Sequence, residues 1–330
     1  MRSDTGRLVE RDSPLSPGAE LPLLRKFKVR SLTAWAHHRS GWGPCAQVLQ
    51  ELACPDGGVL LVDSVERLIR DSIVLDEPWV GFVHKAVLAP AHREAVYGAK
   101  RDASLPAMMA TDVWRRNIDR CRGLFCLSGH LRAYVQPRVP CPVNAVAHPT
   151  SFDCEPFDFE SFDRNEDKSV LMVGHWLRRF QSFHDLQAPG FRKRVLKCQD
   201  EQLYDRLHGV LRDNGSVEWV PWQPKAAYDR LLSRNVVFLD LIDASANNSV
   251  IECLVRNTPL LVNRHPAVIE YLGPDYPLYF DDLAHAARLL NHADLRRGHE
   301  YLCQSAALKD RIRFESFRRA VVSSPIYQSL

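Results

Sequence analysis

Residues 236–263, VVFLDLIDASANNSVIECLVRNTPLLVN, narrow the open folds more than any other stretch of this chain. Two apolar runs of strand length, VVFLDLI (236–242) and PLLVN (259–263), flank a segment that reads as a helix from Ser249 onward. A strand–helix–strand unit of this kind joins parallel neighbours. Parallel strands are buried on both faces, which is why the runs are almost wholly apolar. A loop of small and polar residues, DASANN, lies between the first strand and the helix.

The alternation occurs twice. In the first half, strand runs at 27–35, 59–65, 79–84, 123–128 and 142–148 alternate with helical segments, among them 44–53 with Pro44 in its first turn. Residues 149–167 are acidic, contain proline and have no period, so they read as a linker. Strand runs at 169–174, 191–198 and 216–220, with helices over 200–213 and 225–233, then lead into the opening unit. The expectation is an α/β protein with two Rossmann-like, doubly wound parallel sheets facing across a cleft. Its parts are a polar, Pro-rich tail (1–25), an N-terminal domain (26–150), a linker (151–167), a C-terminal domain (168–312) and a closing segment (313–330).

Composition agrees and excludes alternatives. A chain of 330 residues that is 45% hydrophobic supports two cores, and a net charge of +3 is too mild for a dedicated nucleic-acid binder. No apolar run reaches membrane-spanning length, and the N-terminus lacks the apolar stretch of a secretory leader. The nine cysteines include no CxxC pair, which argues against zinc and for reduced thiols in a cytoplasmic protein.

In open parallel sheets, ligands bind beyond the carboxyl ends of the strands. That rule selects the loop after 169–174, where Gly174 permits a close turn and Arg178 and Arg179 precede a helix. Guanidinium forks and free helix amides there suit a phosphate, although a solvated arginine pair has the same spelling. It also selects Asp243, Asn247 and Asn248 after the strand at 236–242. Ser249 and Glu252, three residues apart, match a capping box; Glu252 alternatively accepts hydrogen bonds from a ligand diol.

These segments resemble the C-terminal domain of GT-B-fold glycosyltransferases, in the large retaining class of group 1 glycosyl transferases that includes sucrose synthases. VLMVGHWLRRFQS is similar to the donor phosphate loop, VEWVPWQPKAAYDRLLSRNVVFLDL to the base-binding turn with its flanking elements, and DASANNSVIECLVRNTPLLVN to the sugar-donor motif. PAVIEYLG resembles the loop that follows, and SFRRAVVSSPIYQSL the closing helix that returns to the first domain. The resemblance implies a GT-B fold and transfer of a sugar from a nucleoside-diphosphate donor, UDP- or GDP-linked, to an unidentified acceptor, with no metal or other cofactor. Arg178 or Arg179 would hold the diphosphate, the backbone at Val220 and Pro221 the base, and Glu252 the ribose. The motif's first acid falls on Ala244, which leaves Asp243, one residue earlier, as its substitute. The resemblance further places Gly41 and Gly43 near the donor phosphates and His84 in the cleft as a catalytic histidine, with Ser128 at another strand end and His148, ranked below His84, at the hinge. The remaining alternatives are a nucleotide-sugar epimerase on the same fold and a non-catalytic nucleotide- or carbohydrate-binding protein. The assembly expected is a monomer or homodimer.

Overall fold

Eleven strands among the described residues, every neighbouring pair parallel, form two separate sheets. The computed structural model describes residues 25–32, 40–55, 57–88, 104–199, 201–212 and 215–330. The expected tail lies outside them apart from Arg25, as do residues 33–35 of the strand expected over 27–35.

The first sheet has the order β1 (Phe27–Lys28), β2 (Val59–Val62), β3 (Trp79–Val83), β4 (Cys121–Cys126) and β5 (Val143–Ala145). Side chains alternate between faces along each strand. Leu60, Trp79 and Leu124 therefore face one core, with the helices Val65–Arg70, Asp112–Ile118 and Gly129–Val135. Leu61, Val80 and Phe125 face a second core, covered by the helix Trp42–Glu51. The rest of that face is covered from the far end of the chain, by Phe317 and Val321 of the helix Phe314–Val322 and by Ile326 and Tyr327 of Pro325–Ser329. Gly123 makes room for this return, since a Cβ there would lie 2.6 Å from the Ile326 side chain.

The second sheet comprises β6 (Ser169–Met172), β7 (Arg192–Leu196), β8 (Val217–Val220), β9 (Val236–Leu239), β10 (Leu260–Asn263) and β11 (Tyr279–Phe280), in the order β11-β10-β9-β6-β7-β8. Chain order runs outward in one direction from β6 and in the other from β9, so the switch point lies between them. Beyond this point the two emerging loops stay paired. Arg179 N donates to Asp240 O at 2.9 Å, and Ile242 N to Leu177 O at 2.9 Å.

Two local expectations change. The 151–167 segment holds a helix, Phe159–Arg164, whose start is capped by the Asp158 carboxylate. Phe157, Phe159 and Phe162 bury themselves in the core of the second sheet, so this segment packs as part of that domain. The helix after β9 also begins earlier than expected, at Asn248–Arg256, because Asn247 is its N-cap and its side chain accepts from Ser249 N and Val250 N. Asparagine caps at least as well as serine. Ser249 therefore lies within the first turn, and the expected Ser249–Glu252 capping box does not form.

Candidate active site

The two sheets point their carboxyl ends toward a shared cavity of about 560 Å³. Its second-domain wall is built from the loops after β6, β7, β8 and β9, as the switch-point rule requires.

Gly174 leaves β6 at φ +73°, and a Cβ there would sit 3.1 Å from Arg178 Nη2. Glycine thus supplies both the left-handed turn and the space for the guanidinium to lie against the backbone. Arg178 is 8% exposed and lines the cavity. Its Nη1 donates to Trp176 O at 2.9 Å, and its Nη2 to Asn247 Oδ1 at 3.2 Å and Ser249 Oγ at 3.5 Å. The cation is therefore held at the amino end of the helix Asn248–Arg256, where the helix dipole adds positive potential.

Arg179 goes elsewhere. Its Nη1 pairs with Asp240 Oδ1 at 2.6 Å and donates to Leu241 O at 2.8 Å, and it is not among the cavity-lining residues. Consecutive residues of an extended segment project to opposite sides, so only one arginine of the pair reaches the cavity.

Other expected residues divide in the same way. Gly41, Asn247, Asn248 and Ser249 line the cavity, whereas Gly43 lies inside the first turn of the helix Trp42–Glu51 and does not. Val220 and Pro221 do not line it either; Val220 O accepts from Lys197 N at 2.9 Å. The residues of that turn that do reach the cavity are Trp222, 41% exposed, and Gln223.

Asp243 lines the cavity, yet its carboxylate is occupied. Oδ2 accepts from Leu88 N at 2.6 Å, and Oδ1 accepts from Ala244 N at 2.7 Å and lies 2.9 Å from His265 Nε2. Burial alone would raise its pKa, but the bonds from His265, Leu88 N and Ala244 N outweigh burial and hold the carboxyl below its ordinary value. With His130, these residues form a group of three potential metal ligands within 4.8 Å of one another. However, His265 Nδ1 accepts from Ala267 N at 3.2 Å, so Nε2 carries the proton and donates it to Asp243. A cation at Nε2 would have to displace that proton and the Ala267 bond with it.

Glu252 is 1% exposed and does not line the cavity. Its Oε1 accepts from Ser40 Oγ of the first domain at 2.7 Å, and Oε2 lies 3.9 Å from Arg256 Nη1. Ser40 and Tyr228 line the cavity. Burial, and then the Glu252 carboxylate beside it, push the Tyr228 hydroxyl upward.

The first-domain wall centres on Trp42, which sequence reasoning missed. Its indole donates to Asp63 Oδ2 at 3.1 Å, meets the edge of His84 at 4.3 Å and stacks on His148 at 5.9 Å. The only sequence signal is an aromatic residue between two glycines in a strand-end loop. His84 Nε2 lies 2.7 Å from Asp63 O. His148 Nε2 lies 2.5 Å from Ser40 O, and burial lowers the imidazole's pKa to about 4, so it is neutral near pH 7. Ser128 caps the helix Gly129–Val135. Among the described residues, His148 Nδ1, Ser245 Oγ and Glu252 Oε2 are buried with no hydrogen-bond partner. These are three of nine such atoms among the described residues, and the three belong to residues lining or backing one cavity.

No family model and no curated protein sequence matches the chain. Solved structures do. TarM superposes with a TM-score of 0.57 at 8% identity, over 80% of this chain and 53% of that one. Sucrose-phosphate synthase from Thermosynechococcus elongatus gives 0.58 at 13% identity, over 82% and 73%. The OtsA apo structure gives 0.56 at 10% identity, over 85% and 75%. The chain thus spans about half the length of TarM and about three quarters of the other two. At these identities the likeness establishes the fold, which is GT-B. No helix among the described residues is long and apolar enough to cross a membrane.

Proposed function

We propose that this protein is a glycosyltransferase that takes its sugar from a nucleoside-diphosphate donor bound at the β6/β9 switch point. The observation that carries the reading is the convergence of Arg178, Asn247 and Ser249 on the cavity at the start of one helix. A cation at the positive end of a helix dipole, beside neutral polar side chains, suits a diphosphate. One solved structure of the same fold, the pneumococcal O-GlcNAc transferase GtfA, is a complex with UDP and GlcNAc. It superposes with a TM-score of 0.51 at 10% identity.

In this reading the diphosphate lies against Arg178, and the base extends toward Trp222 and Gln223. The sugar turns toward Trp42, His84 and His148. Negative charge grows on the leaving diphosphate in the transition state, and Arg178 with the helix terminus stabilises it electrostatically. Cleft closure keeps water from the activated sugar. Asp243, saturated by the protein's own donors, serves to position the loops rather than to touch the sugar. Contact between Glu252 and a ribose diol requires Ser40 to move aside.

Calorimetric titration with UDP, GDP, ADP and dTDP, followed by their sugar conjugates, tests the reading. Micromolar binding of one diphosphate, with release of that nucleotide from its conjugate, is expected; absence of binding across the panel refutes it. Saturation of Asp243 and the alanine at position 244 favour a second reading, a nucleotide-sugar binder without turnover. Tight binding of a conjugate with no nucleotide released, whatever acceptor is supplied, would identify that case.

A further inference from the structure

The helix Pro266–Leu272 stands at the seam between the domains. Glu270 Oε2 accepts from Gly129 N at 2.6 Å, and Glu270 Oε1 from His130 N at 2.6 Å. These are the first two amides of a first-domain helix, which has no partners of its own for them. A Cβ at Gly129 would sit 3.3 Å from the carboxylate, so glycine permits the approach. The next residue, Tyr271, is 5% exposed. Its hydroxyl donates to Leu127 O at 2.7 Å and accepts from His148 N at 2.8 Å. Leu127 and His148 both line the cavity.

On its own side the helix is firmly held. His265 caps it and ties it to Asp243, Tyr301 Oη donates to Leu272 O at 2.8 Å, and Arg311 Nη1 donates to Glu270 O at 2.9 Å. Separating the domains therefore breaks four hydrogen bonds at two adjacent residues and withdraws two residues of the cavity wall. Two of the four involve a carboxylate, and charge-assisted bonds of this kind are the stronger class.

We infer that Glu270 and Tyr271 form the clasp that holds the two domains closed, and that they position the first-domain wall of the cavity. The clasp stands on these contacts alone, while its bearing on transfer chemistry rests on the reading above.

The test compares the wild-type 330-residue chain with Glu270→Ala, Glu270→Gln, Tyr271→Phe and the Glu270→Ala/Tyr271→Phe double variant. Small-angle scattering and amide hydrogen exchange are measured without ligand, then with UDP and with GDP. The double variant should show a larger radius of gyration and at least tenfold faster exchange at residues 128–131, with β9 unchanged. Glu270→Gln, which keeps one acceptor oxygen, should fall between it and the wild type. If the double variant does not fold, the Glu270→Gln and Tyr271→Phe proteins carry the comparison. Wild-type scattering together with wild-type exchange at 128–131 would overturn the clasp. A uniform rise in exchange across the second domain would also overturn it, because that is the signature of a local stability defect. Should the wild type bind neither nucleotide, the transferase reading fails, while the ligand-free comparison still decides the clasp.

Discussion

Arg178 and Arg179 are chemically identical neighbours, and the structure predicts opposite consequences for removing them. Arg178 is 8% exposed and faces the cavity, whereas the Arg179 side chain is 45% exposed and spends its charge on Asp240. Removing a guanidinium that meets phosphate away from bulk water costs about 1.5–3 kcal/mol per charge-assisted hydrogen bond, and the charge attraction is lost with it. Taking about 3 kcal/mol net, Arg178→Ala should raise the Kd for the bound nucleoside diphosphate roughly 150-fold. Arg178→Lys keeps the charge but loses the planar fork, and about tenfold is expected. Arg179→Ala should leave Kd within about twofold; its partner Asp240 is buried, so the cost of the substitution falls on stability, softened by the bond Asp240 Oδ2 keeps from Ser182 Oγ. The helix start survives Arg178→Ala, because Asn247 Oδ1 still accepts from Ser249 N and Val250 N. Calorimetry on the three variants, with thermal melts to confirm folding, reads the contrast. A loss below threefold for Arg178→Ala, or an equal loss for Arg179→Ala, would refute the placement of the phosphate.

Ser40 and Glu252 make a second contrast: if a ribose diol displaces Ser40, Ser40→Ala should tighten nucleotide binding about tenfold or more, from one hydrogen bond to a carboxylate worth about 1.5–3 kcal/mol, and Glu252→Ala should weaken it. Equal weakening by both, measured by calorimetry, would show that the pair acts as a fixed strut. Phe317 is 1% exposed in the first-domain core, so Phe317→Ala should cost about 3–5 kcal/mol in urea unfolding. A cost below about 1 kcal/mol would mean that the returning helix is not part of that core. His148 has its pKa lowered from 6.5 to about 4, so the unfolded chain binds the extra proton first as pH falls. Its stabilising contribution is complete above pH 6.5 and drains away between 6.5 and about 4, by roughly 3 kcal/mol in total. The melting temperature should therefore fall from pH 7 to pH 5, and His148→Gln should flatten that slope; an unchanged slope counts against the burial argument.

The strands and helices most legible in the sequence were those whose period and composition agree. β9, the helix after it and β10 read correctly because buried parallel strands are apolar throughout. β11, two residues long, has too few positions to show a period, and its partner β10 alone makes it a strand. The helix Phe159–Arg164 was hidden by its acidic neighbours, although the three-residue spacing of Phe159 and Phe162 marks one apolar side. In the site, the strand-end rule found Gly174, Arg178 and Asn247, since each needs only its own loop. It did not find which arginine faces inward, nor that Asn247 rather than Ser249 caps the helix, because both depend on where one residue sits relative to a neighbouring chain segment.

Contacts between the domains were least legible, and they change how the acids are understood. From sequence, Asp243 read as a ligand group and Glu252 as a ligand group or half of a capping box, while Glu270 carried no reading of its own. In the closed form each accepts from the first domain, at Leu88 N, Ser40 Oγ, and the Gly129 and His130 amides. A buried carboxylate is costly unless donors satisfy it, and closure supplies them. Hydroxyl groups of a polyol are donors of the same kind, so an acid can serve a ligand only where its protein donor can leave. The partners rank the three. Asp243 and Glu270 are bound by backbone amides, which move only with the domain. Across the seam Glu252 is bound by one serine side chain, which can rotate away while the domains stay closed. Of the three acids, Glu252 is therefore the one that can exchange a protein donor for a ligand hydroxyl without opening the cleft.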